Sequence, residues 1–172
     1  DIKKGQHVHV HNIKTNLNDN LEYSYTPKFE TLKEYIKEEK SFEGYVRKNG
    51  DVGIRNELWI IPTVGCVNGI CENIAKIFKM NHPSLDGVDG VYVFTHPYGC
   101  SQMGDDHVST RKSLQNIMLH PNAGGVLVVG LGCENNQMKD FKDTSEPYDE
   151  DRVSFMVAQE EEDEIAKGVE LL

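Results

Sequence analysis

No apolar run in the sequence approaches the roughly 20 residues that a membrane-spanning helix needs, and no charged-then-apolar leader stands ahead of the first strand-like segment. A cytoplasmic protein with no membrane partner is expected. Basic residues are few. The 18 Lys and Arg stand against 28 Asp and Glu, a net charge of -10, which argues against a surface built for nucleic acid or anionic lipid. Cysteine is scarce too, four in 172 residues, and without a secretory leader four do not make a disulfide framework. Cys66, Cys71, Cys100 and Cys133 are therefore expected as reduced thiols or metal ligands. Low-complexity segments are absent, and the glycines of GLGCENN lack the third spaced glycine of a dinucleotide fingerprint.

What is present is enough for one compact domain with a short appendage: 38% of residues are apolar. The chain opens on Asp1 and stops on Leu171-Leu172 inside a helical pattern with no capping signal, so a piece of a longer protein is expected. Residues 7–12 (HVHVHN) alternate strictly and read as a short strand with Val8 and Val10 on one face. Residues 15–30 are aperiodic and broken by Pro27, a linker. Residues 31–40 carry a thin apolar stripe of Leu32, Tyr35 and Ile36 that fits a short charged helix.

From Phe42 the pattern changes. Asn49-Gly50 between alternating segments predicts a hairpin in which both turn positions accept positive φ. Four strand-then-helix units follow. They are LWIIPTVGC (58–66) with a helix from Asn68 to Met80, VDGVYVFTHPYGC (88–100) with one from about Asp105 to Leu119, AGGVLVVGLGC (123–133) with one from about Glu134 to Phe141, and RVSFMVAQ (152–159) with EEEDEIAKGVELL. This βαβα order predicts an α/β fold, an open and mostly parallel sheet of about four strands with flanking helices, preceded by the hairpin and a short β remnant.

Three cysteines occupy equivalent places. Cys66, Cys100 and Cys133 each close a strand where the next helix opens, and each follows a glycine (Gly65, Gly99, Gly132). In open α/β sheets ligands bind at those carboxyl ends, and a helix N-terminus favours the thiolate that binds metal or attacks an electrophile. A small apolar core residue is the competing reading for any one thiol, less so for three together. Cys71, inside the first helix, fits ordinary core. The loop THPYGCSQMGDDH (95–107) gathers His96, Ser101, Gln102, Asp105, Asp106 and His107, parts suited to acid/base chemistry; Asp105 and Asp106 equally suit a helix cap. GCENNQ (132–137) adds Glu134, Asn135, Asn136 and Gln137, suited to the hydroxyls of a sugar. His7, His9 and His11 share a strand face where two could hold one metal, or simply meet solvent. Lys14 and Arg55-Asn56 are candidate carboxylate binders in an otherwise acidic chain. A thiol-based redox or metal-storage module is the competing class, against which the polar Asn and Asp loops speak.

Five ordered segments, GQHVHVHNIKTNL (5–17), FEGYVRKNGDVGIRN (42–56), PTVGCVN (62–68), THPYGCSQMGDDH (95–107) and HPNAGGVLVVGLGCENNQ (120–137), resemble the altronate/galactarate dehydratase family, sugar-acid lyases with a sulfolactate sulfo-lyase relative. The resemblance is closer to the altronate branch. It implies residues 1–17 as the end of an N-terminal β domain of the SAF type, 18–42 as linker, and 43–172 as the first half of the catalytic region. It also implies loss of water from an aldonate such as D-altronate to give a 2-keto-3-deoxy acid in hexuronate catabolism. Fe2+ is the implied metal, with Mn2+ or an iron–sulfur cluster as alternatives. On that reading Cys66, Cys100 and Cys133, with His9 and His11, belong to the metal site. His96, His107 and Asp105 carry proton transfer. Lys14, Arg55, Asn56, Gln102, Asn135 and Asn136 hold the substrate, a small sugar acid, and a homo-oligomer is compatible.

Overall fold

The computed structural model describes residues 2–9, 12–13, 24–31 and 38–172 and divides into two units, Asp1–Lys40 and Ser41–Leu172. In the first unit no strand forms over the described residues 7–9 and 12–13. The His9 carbonyl accepts the amide N–H groups of Asn12 and Ile13. The Asn12 side chain bonds the His9 N–H and the His7 carbonyl, local bonds that compete with a ladder. The short β remnant is thus a turn at these positions. The expected helix over 31–40 falls mostly on 32–37, and His11 and Lys14 likewise lie outside the described residues.

The second unit opens with a two-stranded antiparallel ribbon, β1 (Tyr45–Val46) and β2 (Val52–Gly53). Its loop is one residue longer than the Asn-Gly turn expected. The Gly50 N–H bonds the Arg47 carbonyl and the Arg47 N–H bonds the Asp51 carbonyl. Only Gly50 takes positive φ, +88°, which is the three-residue loop ending on a left-handed glycine.

Four parallel strands form the main sheet: β3 (Glu57–Pro62), β4 (Gly90–Val93), β5 (Ala123–Gly130) and β6 (Val153–Val157), in the order β4-β3-β5-β6. The helices are α1 (Asn68–Asn81), α2 (Gly104–Leu119), α3 (Met138–Asp143) and α4 (Glu164–Leu171). Alternation along the strands divides the core. Ile60, Leu127, Val129 and Met156 pack with Ile74 and Phe78 of α1 and with Ile165 and Val169 of α4. Trp59, Ile61, Val126 and Val128 pack with Leu114 and Met118 of α2 and Phe141 of α3. Both faces are covered, which is why β3 and β5 read as continuous apolar runs. Because the chain leaves β3 for β4 on one side and returns across it to β5 on the other, the connections diverge between β3 and β5. That is the switch point where such sheets bind ligands. Among the described residues no helix is long and apolar enough to cross a membrane.

Strands end earlier than expected, at Pro62, Val93 and Gly130, so Cys66, Cys100 and Cys133 stand in the loops beyond them rather than on the strands. The third helix begins at Met138, not Glu134, because side chains capture the backbone between them: Glu134 reaches back to the Leu131 and Gly132 N–H groups, and Gln137 Nε2 bonds the Gly132 and Glu134 carbonyls.

Candidate active site at the carboxyl edge of the sheet

The loops after β3, β4 and β5 are tied to one another. The Gly65 N–H bonds the Tyr98 carbonyl at 2.7 Å, and Asn68 Nδ2 bonds the His96 carbonyl at 2.9 Å. A Cβ on Gly65 would stand 2.7 Å from the His96 oxygen, so this contact requires glycine. The Asn135 N–H bonds the Cys100 carbonyl at 2.8 Å, and its Nδ2 bonds the Gln102 carbonyl at 3.2 Å. Gln159, beyond β6, donates from its backbone to the Leu131 carbonyl and from Nε2 to Cys133 Sγ at 3.9 Å. Gly132 sits at φ +124°, which only glycine adopts at ease; Gly99 has neither constraint.

All four cysteines are free thiols. Cys66 and Cys133 are exposed and Cys100 is half-buried, whereas burial in α1 pushes the Cys71 thiol up to about 12, a core residue as expected. Among the described residues no three His, Cys, Asp or Glu side chains gather into a group able to hold a metal ion. The donors present here therefore do not by themselves fit the iron that the resemblance implies. In the first unit the His7 and His9 rings stack with centroids 6.0 Å apart.

At the switch point lies a buried polar chain. Glu134, 2% exposed, accepts the Thr63 hydroxyl at 2.7 Å and the Leu131 N–H at 2.9 Å on Oε1, and the Gly132 N–H at 2.6 Å on Oε2. Asn136 Nδ2 donates to the Thr63 carbonyl at 3.0 Å, and its Oδ1 accepts Arg111 Nε at 3.1 Å. Arg111 Nη2 then meets His107 Nε2 at 3.2 Å. A guanidinium only donates, so Nε2 is the acceptor in this bond.

The expected residues separate on this frame. His96 points Nε2 at the Pro62 carbonyl, 3.0 Å, and accepts the Tyr98 N–H on Nδ1, 3.3 Å, so both ring nitrogens are engaged by backbone. Asn136 is 6% exposed with both ends of its amide engaged, which makes it scaffold, while Asn135 and Gln102 reach the surface of the edge. Asp105 and Asp106 both stand in the first turn of α2 without capping it. Arg55 and Asn56 are not brought here. They precede β3, at the opposite end of a six-residue strand, roughly 20 Å away at 3.3 Å per residue. There Asn56 accepts Arg47 Nη1 and donates to the Gly87 carbonyl, and Arg55 pairs with Glu57. Sequence reasoning missed Arg111, Thr63 and the anchoring use of Glu134. The His107–Arg111 spacing of i,i+4 was the one available signal.

Between α2 and the loop after β4 opens a cavity of about 490 Å³, lined by none of Thr63, His107, Arg111, Glu134 and Asn136. Phe94, Leu114 and Ile117 form an apolar wall; His96 and Gln102 face it from the loop and Asp106 from the helix.

A parallel sheet with a divergent loop pair, an imidazole hydrogen-bonded to a guanidinium and a cavity between α2 and the loop after β4 define an α/β protein whose candidate site stands at the switch point. The chain belongs to the D-galactarate dehydratase/altronate hydrolase family, whose second domain matches residues 44–172. It is 53% identical over all 172 residues to altronate dehydratase of Escherichia coli K12 and 51% identical over the same length to that of Bacillus subtilis 168. Galactarate dehydratase (L-threo-forming) of Escherichia coli K12 is 40% identical over 101 residues, 56% of this chain and 19% of that protein. The chain spans about a third of the length, 34%, of the altronate dehydratases it matches. No solved structure matches it.

Proposed function

We propose that this chain forms one wall of the active site of a sugar-acid dehydratase acting on an aldonate such as D-altronate. The identity to altronate dehydratases across its whole length carries the reading. Dehydration removes the proton α to the carboxylate and expels the β-hydroxyl; the enol left behind becomes the 2-keto-3-deoxy acid. The α-proton is weakly acidic, so the carboxylate needs a cation to stabilise charge as it develops. Arg111 is the cation at this edge. With Nε and one Nη2 hydrogen on Asn136 and His107, its remaining hydrogens are available to a carboxylate. His107, hydrogen-bonded to it through Nε2, is the group that takes or returns a proton. The exposed thiols Cys66 and Cys133 and the half-buried Cys100 border the same edge. The roles given to this chain's residues do not depend on a metal.

The test uses the full-length protein containing this chain. Incubation with D-altronate yields a 2-keto-3-deoxy acid, and Arg111→Met raises KM at least ~10-fold, the size expected for losing one charged hydrogen-bond partner. Serine at Cys66, Cys100 or Cys133 lowers turnover. Absence of keto acid from wild-type protein overturns the reading, and sulfite release from sulfolactate in its place moves the chain to the branch represented by its (2R)-sulfolactate sulfo-lyase relative, 33% identical over 92 residues.

A further inference from the structure

The cavity beside α2 differs from the rest of the edge in one respect. Elsewhere the polar groups are consumed: Glu134 and Asn136 bond within the chain, and of the cavity's own groups His96 has both ring nitrogens engaged by backbone. In the cavity, among the described residues, the side chains of Thr95, Tyr98, Gln102, Asp106 and Ser109 make no hydrogen bond to the protein. Unspent donors and acceptors opposite an apolar wall are what a polyhydroxylated ligand needs, hydroxyls to one side and C–H faces to the other. The volume, about 490 Å³, is within the range of small-molecule sites, roughly 300–1,000 Å³.

Charge then discriminates between ligands. Among the described residues Asp106 is the only Asp, Glu, Lys or Arg lining the cavity, and His96 has both ring nitrogens engaged by backbone. A carboxylate entering here meets a like charge with no cation in the lining to offset it, whereas a hydroxyl meets an acceptor. Asp105, one residue earlier, does not line the cavity, so successive positions on the helix separate the two acids.

We propose that this cavity receives the uncharged, hydroxylated end of a monocarboxylic sugar acid, remote from the carboxylate at Arg111, and that Asp106 excludes the second carboxylate of an aldarate. The inference rests on the dehydratase reading and deepens it: Asp106 is a specificity determinant for aldonates over aldarates.

The test measures kcat/KM of the full-length enzyme for D-altronate and for galactarate in wild type, Asp106→Asn and Asp106→Glu, with calorimetric binding of each acid as a readout independent of turnover. Asp106→Asn should shift the altronate-to-galactarate ratio toward galactarate roughly five- to tenfold, the size expected for two like charges ~4 Å apart with water around them. The shift should shrink in high salt, and Asp106→Glu should retain the wild-type preference. Ser113→Leu, on the same lining, should raise KM for altronate. Asp106 and Ser113 are exposed helix positions, so unchanged thermal unfolding is expected alongside. An altronate-to-galactarate ratio within twofold of wild type in Asp106→Asn, with altronate still turned over, overturns this inference alone. Failure of wild-type enzyme to dehydrate or bind any aldonate overturns the dehydratase reading and this inference with it.

Discussion

Replacing Glu134 tests whether the loop bearing Cys133 is held by a buried carboxylate. Three donors converge on it, the Thr63 hydroxyl and the N–H groups of Leu131 and Gly132. Alanine removes all three acceptor contacts. A buried donor left without a partner costs ~1–3 kcal/mol, but Gly132 is exposed and water can replace the acceptor there. The Thr63 hydroxyl also keeps the Val129 carbonyl within reach, 3.4 Å away, so the total is about 3 kcal/mol rather than the full sum. Glutamine keeps Oε1 for Thr63 and Leu131 and turns an amide N–H toward the Gly132 N–H, donor against donor, at about 1–2 kcal/mol. Hydrogen exchange read by mass spectrometry on the segment around 131–134 of the full-length protein measures this locally. At 1.4 kcal/mol per tenfold, protection falls roughly 10²-fold in Glu134→Ala and about tenfold in Glu134→Gln. Equal protection in all three proteins would refute the anchoring argument. A global loss with no local excess would refute its assignment to this loop.

Two further predictions concern the core. Cys71 is held as the neutral thiol, its value rising from 9.0 to about 12 by burial. Its contribution is thus fully present below pH 9 and is lost between pH 9 and 12, as the unfolded chain ionises and the folded one does not, at up to ~1.4 kcal/mol per pH unit. Cys71→Ala should flatten that limb of a stability–pH curve, and native Cys71 should resist alkylation while Cys66 and Cys133 react. Gly168 in α4 faces Ile74 of α1 so closely that an added Cβ would sit 2.2 Å from Ile74 Cδ1. Gly168→Ala should cost ~1–3 kcal/mol in chemical unfolding, and Ile74→Val in the same chain should recover part of it.

Much of the fold was legible because its signals are local. Continuous apolar runs at 58–62 and 126–130, separated by helical periodicity, mark buried parallel strands without reference to contacts. The recurrence of glycine then cysteine beyond three strands placed those thiols at one sheet edge by chain order alone. The same reasoning overran the strands and started the third helix at Glu134, because the bonds from Glu134 and Gln137 to backbone that hold the loop open depend on side-chain direction rather than composition. The partners of Asn136 and Arg55-Asn56 were not legible for a related reason: a polar residue looks the same in sequence whether or not its hydrogen bonds are made within the chain.

The sequence by itself determined the parallel α/β layering and the placing of Cys66, Cys100 and Cys133 at the carboxyl edge of the sheet, both of which follow from periodicity and chain order. Only the tertiary structure decided which groups at that edge are free to act. Thr63, Glu134, Asn136, Arg111 and His107 lie on three separate segments, and no local pattern records that they form one hydrogen-bonded chain. The cavity depends likewise on how α2 lies beside the loop after β4, and that packing, not the run Asp105-Asp106, turns one acid into its lining and leaves the other outside.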